Sequence, residues 1–285
     1  MSYSYNKEKI NNLLEDFNRF IDYLMSNEIV LTKKNKHLKR KDLYSLNQLM
    51  IEPQKGVTKH NDQKRYIELN LFYHLVIAGN LFEIQGEKQG KKVKLIGNVQ
   101  RLKKFDFLNS IEKYFALLKI FWIESNWQRI QTDYYNRSPI YSVPEVLDFV
   151  TSYNPGKRID IPKDSREIQL LYNWNAFLKY FELFGFWEVF EKKTDSKKSY
   201  MAEVLITTKF GYDILKILNK KRNILQWNKH IKDRSERPKD MFSEILNLFD
   251  DNKKDDNFAS ENFKKPEEEF ILPFKELFSG DKLKK

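Results

Sequence analysis

The chain contains no cysteine. Disulfides, thiolate metal centres and cysteine nucleophiles are therefore excluded. Glycine and proline are scarce, with 9 and 8 copies among 285 residues. Typical shares are roughly 7% and 5%. The deficit disfavours glycine-rich nucleotide loops and turn-dense all-β folds, and it favours helices. No uninterrupted apolar run approaches the ~18 residues of a membrane span. The opening segment Met1–Glu8 has no basic stretch followed by an apolar one. These absences lead to the expectation of a soluble, cytoplasmic protein with no membrane partner.

Chemistry-bearing motifs are missing as well. Histidine is limited to His37, His60, His74 and His230. None stands three or four residues from another, and no His-Glu-x-x-His or carboxylate loop occurs, so no metal is expected. No Gly-Lys-Ser/Thr follows a strand, and neither a dinucleotide fingerprint nor a Gly-x-Ser-x-Gly elbow is present. The acidic residues are scattered, with no pair singled out for acid–base work. The expectation is a non-enzymatic protein without a cofactor. His74, on an apolar stretch, reads as a satisfied core histidine.

What is present begins with apolar material: 41% of residues are hydrophobic and 15% aromatic, which rules out wholesale disorder. The net charge is +11, but it is unevenly placed. Residues 231–285 carry 12 basic and 14 acidic side chains, leaving 39 and 26 for residues 1–230, a net +13. A basic body with a near-neutral tail suits an anionic partner such as nucleic acid. The same excess is also what ordinary solvated surface lysine would give in a chain rich in Lys, Asn, Ile and Phe.

Periodicity organises the body. Ile10, Leu13, Leu14, Phe17, Phe20, Ile21 and Leu24 recur at steps of three and four over an amphipathic helix at 8–26. A short apolar step at Ile29-Val30-Leu31 precedes a stretch, 33–41, with six cations in nine positions. A short second helix carries Leu43, Leu46, Leu49 and Met50. A third runs from about Gln63 to Ala78 and stops at Gly79-Asn80. Two alternating segments, 81–84 and 93–96, flank a cationic turn. A long helix is expected over about Asp106–Ser125, with Phe107, Ile111, Tyr114, Leu118 and Phe121 on its buried stripe.

The second half repeats this plan. A short helix follows Pro144, a turn lies at Asn154-Pro155-Gly156, and a brief strand covers 158–161. A long helix capped by Asp164 or Ser165 is expected to reach Phe184 and end at Gly185. Phe186-Trp187-Glu188-Val189 matches Leu81-Phe82-Glu83-Ile84 at an offset of 105. A second cationic turn at 192–198 precedes the strand Val204-Leu205-Ile206 and then Thr207-Thr208-Lys209-Phe210-Gly211. There a hydroxyl caps the next helix, and a small glycine packs against the sheet.

The order helix, short strand, helix, helix, hairpin over residues 8–100, met again in the second half, resembles the winged-helix family. The resemblance implies a mostly α fold with small β-hairpins: two winged-helix-like units, 1–135 and 136–230, followed by a polar tail, 231–285. It also implies double-stranded DNA as the partner, with the start of the third helix in the major groove and the hairpins, or wings, on phosphates. The candidate nucleic-acid contacts are Lys33, Lys34, Lys36, Lys39, Arg40 and Lys41, then Lys64 and Arg65. Lys91, Lys92 and Lys94 belong to the first wing, Arg166 to the second unit's helix start, and Lys197 and Lys198 to the second wing. The third helix offers few side chains for base edges (Gln63, Lys64, Arg65, Glu68, Asn70 and Tyr73), so backbone contact is better supported than base readout.

Two features point to proteins instead. The tail holds two apolar islands, with Phe242, Ile245 and Phe249 in one and Phe274 and Phe278 in the other. Such segments dock onto a partner or back onto their own core. The aromatics Phe121, Trp122, Trp127, Tyr134 and Tyr135 read as an interdomain core or a homodimer surface, with a single-strand stacking platform as the alternative. A protein-interaction scaffold with an incidental basic surface is thus the second expectation.

Overall fold

The computed structural model describes residues 7–86, 92–131, 139–161, 174–191 and 202–231, together with 270, 273 and 274. It is mostly helical, with two small three-stranded antiparallel sheets. The first half runs α1 (Lys7–Ser26), β1 (Ile29–Val30), α2 (Arg40–Leu49), a 3-10 turn (Gln63–Arg65), α3 (Ile67–Ala78), β2 (Phe82–Gln85) and β3 (Lys94–Gly97). Then follow α4 (Val99–Asp106), α5 (Ser110–Lys119), a π-helical turn (Ile120–Glu124) and α6 (Trp127–Ile130). The second half runs from a 3-10 turn (Pro139–Ser142) through α7 (Val143–Ser152), β4 (Arg158–Asp160) and α8 (Asn175–Leu183). It ends with β5 (Trp187–Glu191), β6 (Ala202–Thr207), α9 (Lys209–Lys221) and α10 (Ile224–Trp227).

The strand orders β1-β3-β2 and β4-β6-β5 are the same topology written twice. The copies also share their backbone bonding. At the end of α3, Gly79 N donates to Leu75 O, Asn80 N to Ile77 O and Leu81 N to Val76 O. At the end of α8, the same three bonds join Phe184 to Tyr180, Gly185 to Glu182 and Phe186 to Phe181, each 105 residues on. The left-handed position of this helix stop is Asn80, φ 53°, in the first copy and Gly185, φ 77°, in the second. Asparagine and glycine are the residues that tolerate it. After the hairpins the offset becomes 110: Asn98 N donates to Leu81 O at 2.8 Å, and Thr208 N to Phe186 O at 3.0 Å. The second hairpin is therefore five residues longer.

The expected long helix at 106–125 forms over 110–124, as α5 and the π-helical turn that continues it. It starts four residues late, under a capping box in which Asn109 and Glu112 satisfy each other's backbone donors. Asp106 is the last residue of α4, and Phe107, placed by periodicity on the buried stripe, falls in the joint between the two helices and is 89% exposed. Its spacing to Ile111 fits the stripe, and spacing alone has no means to see the joint. Tyr114, Leu118 and Phe121 are buried as expected. The expected N-terminal part of the helix ending at Phe184, residues 164–173, lies outside the described residues.

One connected core spans both halves. α3 and α8, equivalent in the two copies, pack on each other. Their contact is tied by Asn70, whose Nδ2 donates to Ile130 O at 2.9 Å and to the Tyr180 hydroxyl at 3.0 Å. Around it gather Phe121, Trp122, Trp127, Trp174, Phe177, Tyr180 and Phe181, all at or below 1% exposure. The indole N–H groups of Trp122, Trp127, Trp174 and Trp187 each donate to a protein oxygen at 2.7–3.0 Å, so ring burial leaves no donor stranded. Phe121, Trp122 and Trp127 are thus core between the halves; Tyr134 and Tyr135 lie outside the described residues. On the edge strand β5, Val189 N donates to the Glu182 carboxylate at 3.0 Å, and Lys9 stands 3.8 Å from both Glu182 and Glu188.

Candidate nucleic-acid interface

The cationic stretch 33–41 is held in one shape by local bonds. Thr32 N donates to His37 O, Lys36 N to Thr32 O, and His37 N to the Thr32 hydroxyl. Lys36 takes the left-handed conformation, φ 55°. The loop is then pinned to its surroundings at two points. Leu38 is buried, and its N–H donates to Gln63 Oε1 at 2.8 Å. The Tyr73 hydroxyl, on α3, donates to Lys36 O. Lys33, Lys34, Arg40 and Lys41 are exposed, and Lys36 and Lys39 are half-buried.

Lys39 is the N-cap of α2 and makes no side-chain cap bond, and Arg40 and Lys41 open the helix. Cations there oppose the positive end of the helix dipole, worth roughly 0.3–1 kcal/mol each at a surface. Asp42 alone among first-turn residues offsets them; it is buried and accepts from the Tyr23 hydroxyl at 3.2 Å. The helix start therefore presents both its dipole and three side-chain charges to an anion.

The β2–β3 hairpin joins this surface through Glu28. Its carboxylate is ion-paired with Lys94, and that bond, followed by the charges of Lys94, Lys92 and Lys39, holds it below the usual carboxylate range. Lys94 at the hairpin is thus paired with this acid, and the charges of Lys92 and of Lys39 at the helix start reach it more weakly. Gln85, Gly86, Lys92, Lys94 and Ile96 line a shallow, open depression beside it. On the other side of the loop, burial and the Lys64 ammonium push His37 down, with Asp62 opposing. Arg65 is exposed next to Lys64. Of the expected contacts, Lys92 and Lys94 share the hairpin that pairs with β1, the charges of Lys39 and Lys92 reach Glu28, and that of Lys64 reaches His37 in the 33–41 loop. Lys91, Arg166, Lys197 and Lys198 lie outside the described residues.

The third helix departs from what a base-reading helix needs. Gln63, Asn70 and Tyr73 are at 0%, 1% and 4% exposure. Gln63 Nε2 donates to Asn70 Oδ1 at 3.2 Å, and Asn70 continues to Tyr180. Three of the six polar side chains in that region are consumed inside the protein: Gln63 and Tyr73 hold the 33–41 loop, and Asn70 joins the halves. Lys64, Arg65 and Glu68 remain at the surface or half-buried. Burial pushes Glu68 up to about 8, with Asp16 and Glu52 adding to the shift and Lys179 opposing it.

Sequence reasoning missed Arg129. It stands on α6, which Asn70 draws against α3, and its charge reaches both Tyr73 and His74. Its place beside Lys64 and His37 depends on a packing contact 60 residues away along the chain, for which no local pattern exists. His74 was expected to be a satisfied core residue. Its Nε2 is shut off from solvent without a hydrogen-bond partner, and burial, followed by the charges of His37, Arg129 and Lys64, drives it down to about 3. Among the described residues, no three His, Asp or Glu side chains gather as a metal-ligand set.

Of the tail residues, Phe274 is fully buried against the chain's own Phe115, with ring centroids 5.3 Å apart. Phe242, Ile245, Phe249 and Phe278 lie outside the described residues. No described helix is long and apolar enough to cross a membrane. No protein-family model, curated protein or solved structure matches the chain.

Proposed function

We propose that this protein is a non-enzymatic DNA-binding protein that grips the sugar–phosphate backbone of double-stranded DNA through its first half. The observation that carries the proposal is the pairing of β1 with β3, which sets the hairpin lysines Lys92 and Lys94 beside the strand leading into a loop of further lysines whose shape is fixed by Tyr73 and Gln63. A helix start and a hairpin base offering cations to one region is the arrangement a winged-helix protein uses on phosphates. The inward turn of Gln63, Asn70 and Tyr73 removes base-edge readers, so the reading is backbone contact with little sequence preference.

Binding of this kind releases counterions, and log K falls with log salt at a slope of about −0.9 per phosphate contact. A duplex of arbitrary sequence should be retained at low salt and lost at high salt, with a slope of about −4 for four or five contacts. The variant Lys39→Glu/Lys92→Glu/Lys94→Glu should weaken binding at least ten-fold, and permuting the duplex sequence should change it little. Absence of retention at low salt would end this reading. The second reading, a protein-interaction scaffold, is favoured by the burial of α3 against α8, and it expects a stable partner complex with no DNA retention.

A further inference from the structure

Two described tail residues, Phe270 and Phe274, are at 0% exposure although most of the sequence around them is polar. Their rings are 5.4 Å apart. Phe274 meets Phe115 on α5, in the first half. Phe270 meets Trp227 on α10, beyond the second sheet, at 6.4 Å. The Arg222 guanidinium lies 4.2 Å from the Trp227 ring. α10 packs on the π-helical turn that continues α5, so Phe115 and Trp227 line one seam. The seam is fixed from below. The Trp122 indole donates to Arg222 O at 2.7 Å, and buried Asn228 donates to Trp122 O and Ser125 O at 2.9 and 3.1 Å. Pro273 is also buried and restricts the backbone just before the second ring.

We infer that the α5–α10 seam is a docking site for a short segment of the form Phe-x-x-Pro-Phe, and that its resident occupant is the chain's own Phe270–Phe274. The site is built before the ligand arrives, because Trp122 and Asn228 hold its walls without help from the tail. Recognition rests on two rings at a spacing of four, each seated on a different half of the molecule. The occupant makes no covalent bond to its site, so the same segment supplied from outside is a competitor. A second copy of this chain carries that segment and is the natural donor in trans. A tethered ligand acts at an effective concentration of the order of millimolar. An outside peptide therefore binds the intact chain far more weakly than a chain whose own segment has been disabled.

The test uses a fluorescent peptide covering residues 266–278 and the full-length protein, read by polarisation. The variant Phe270→Ala/Phe274→Ala should take up the peptide at least ten-fold more tightly than the wild type, and a peptide with both phenylalanines replaced should bind neither. Equal binding to wild type and variant, or no binding to the variant, overturns the site. Should that variant not fold, a protease site introduced between residues 231 and 270 of the wild type, cleaved after folding, replaces it. The severed tail should stay associated and be displaced by excess unlabelled peptide. A tail that leaves at once, or that no peptide displaces, overturns the inference equally.

Discussion

The two sheet modules differ most where the helix leaves the last strand. In both, an N-cap side chain accepts from the backbone N–H three residues on: Asn98 from Arg101 at 3.2 Å, and Thr208 from Gly211 at 2.8 Å. The first module places a long cationic side chain at that third position and the second places glycine. At Gly211 an added Cβ would lie 1.8 Å from Phe186 O. α9 is thus pressed onto the start of β5, and Thr208 adds a hydroxyl bond to Gly185 O at 2.8 Å. The first module leaves room there, and Arg101 is half-buried. The same backbone pattern therefore serves a tightly sealed unit and a looser one, and the looser one carries the cationic surface.

That contrast can be broken first at the glycine. Gly211→Ala should cost more than about 3 kcal/mol, because the obstacle is backbone and cannot turn aside. Thermal unfolding should show a drop of about 8 °C or failure to fold. Arg101→Ala, at the equivalent site, should stay within about 0.5 kcal/mol. A mild effect at Gly211 would mean the two exits are equally loose.

The seam between the modules comes next. Asn70→Ala strands the buried Gln63 Nε2 donor and leaves the Tyr180 hydroxyl and the Ile130 carbonyl with only each other, and should cost about 2–3 kcal/mol by denaturant titration. Tyr180→Phe leaves Asn70 with Ile130 O and Gln63 and should cost about half as much.

A third test uses pH, and it separates α3 from α8. His74 lies at the position that Lys179 fills in the second module, where Lys179 pairs with Glu182 at 2.5 Å. The His74 value of about 3 lies below the ordinary 6.5, so the folded state refuses a proton that the unfolded state accepts. Stability from this group is full above about pH 6.5 and is lost as pH falls toward 3, by at most roughly 1.4 kcal/mol per unit. Glu68, at about 8 against an ordinary 4.5, works the other way: its contribution is full below 4.5 and is lost as pH rises toward 8. His74→Phe should flatten the acid side of the stability curve, and Glu68→Gln the alkaline side. Lys179→Met should flatten neither, and an unchanged acid limb in His74→Phe would remove histidine from this account.

Apart from Arg101→Ala, the smallest expected effects are at the caps. Asn98→Ala and Thr208→Ala should each cost about 1 kcal/mol by denaturant titration. Each cap side chain makes a second bond, Asn98 to Glu83 and Thr208 to Gly185, so the two losses should be alike. Unequal losses would say that the two second bonds differ in worth.

Much of this architecture was legible in the residues because it repeats. The match of 81–84 to 186–189 at a fixed offset, the Gly/Asn helix stops and the Thr-x-x-Gly exit are local signals, and each has its place in the structure. What was not legible depends on contacts between distant segments. The joint at Phe107 looks like the first turn of α5 because an apolar residue stands there four positions before Ile111. Gln63, Asn70 and Tyr73 look like a polar reading face until the 33–41 loop takes Gln63 and Tyr73, and α6 and α8 take Asn70. The short strand at Ile29-Val30 is legible as an apolar step, but its pairing with β3, more than sixty residues on, which sets Glu28 against Lys94, is not. Arg129 enters by the same kind of long-range packing.

The Glu182 carboxylate, which accepts from Val189 on the outer strand of the second sheet, has a consequence for solutions rather than single molecules. An outer strand ordinarily offers its N–H groups to any extended chain that drifts by, and sheets grow across molecules in that way. Here a donor is already satisfied from within, and the Lys9 charge guards the same margin. An extended chain arriving at this margin finds one fewer donor to pair with and a charged neighbour beside it.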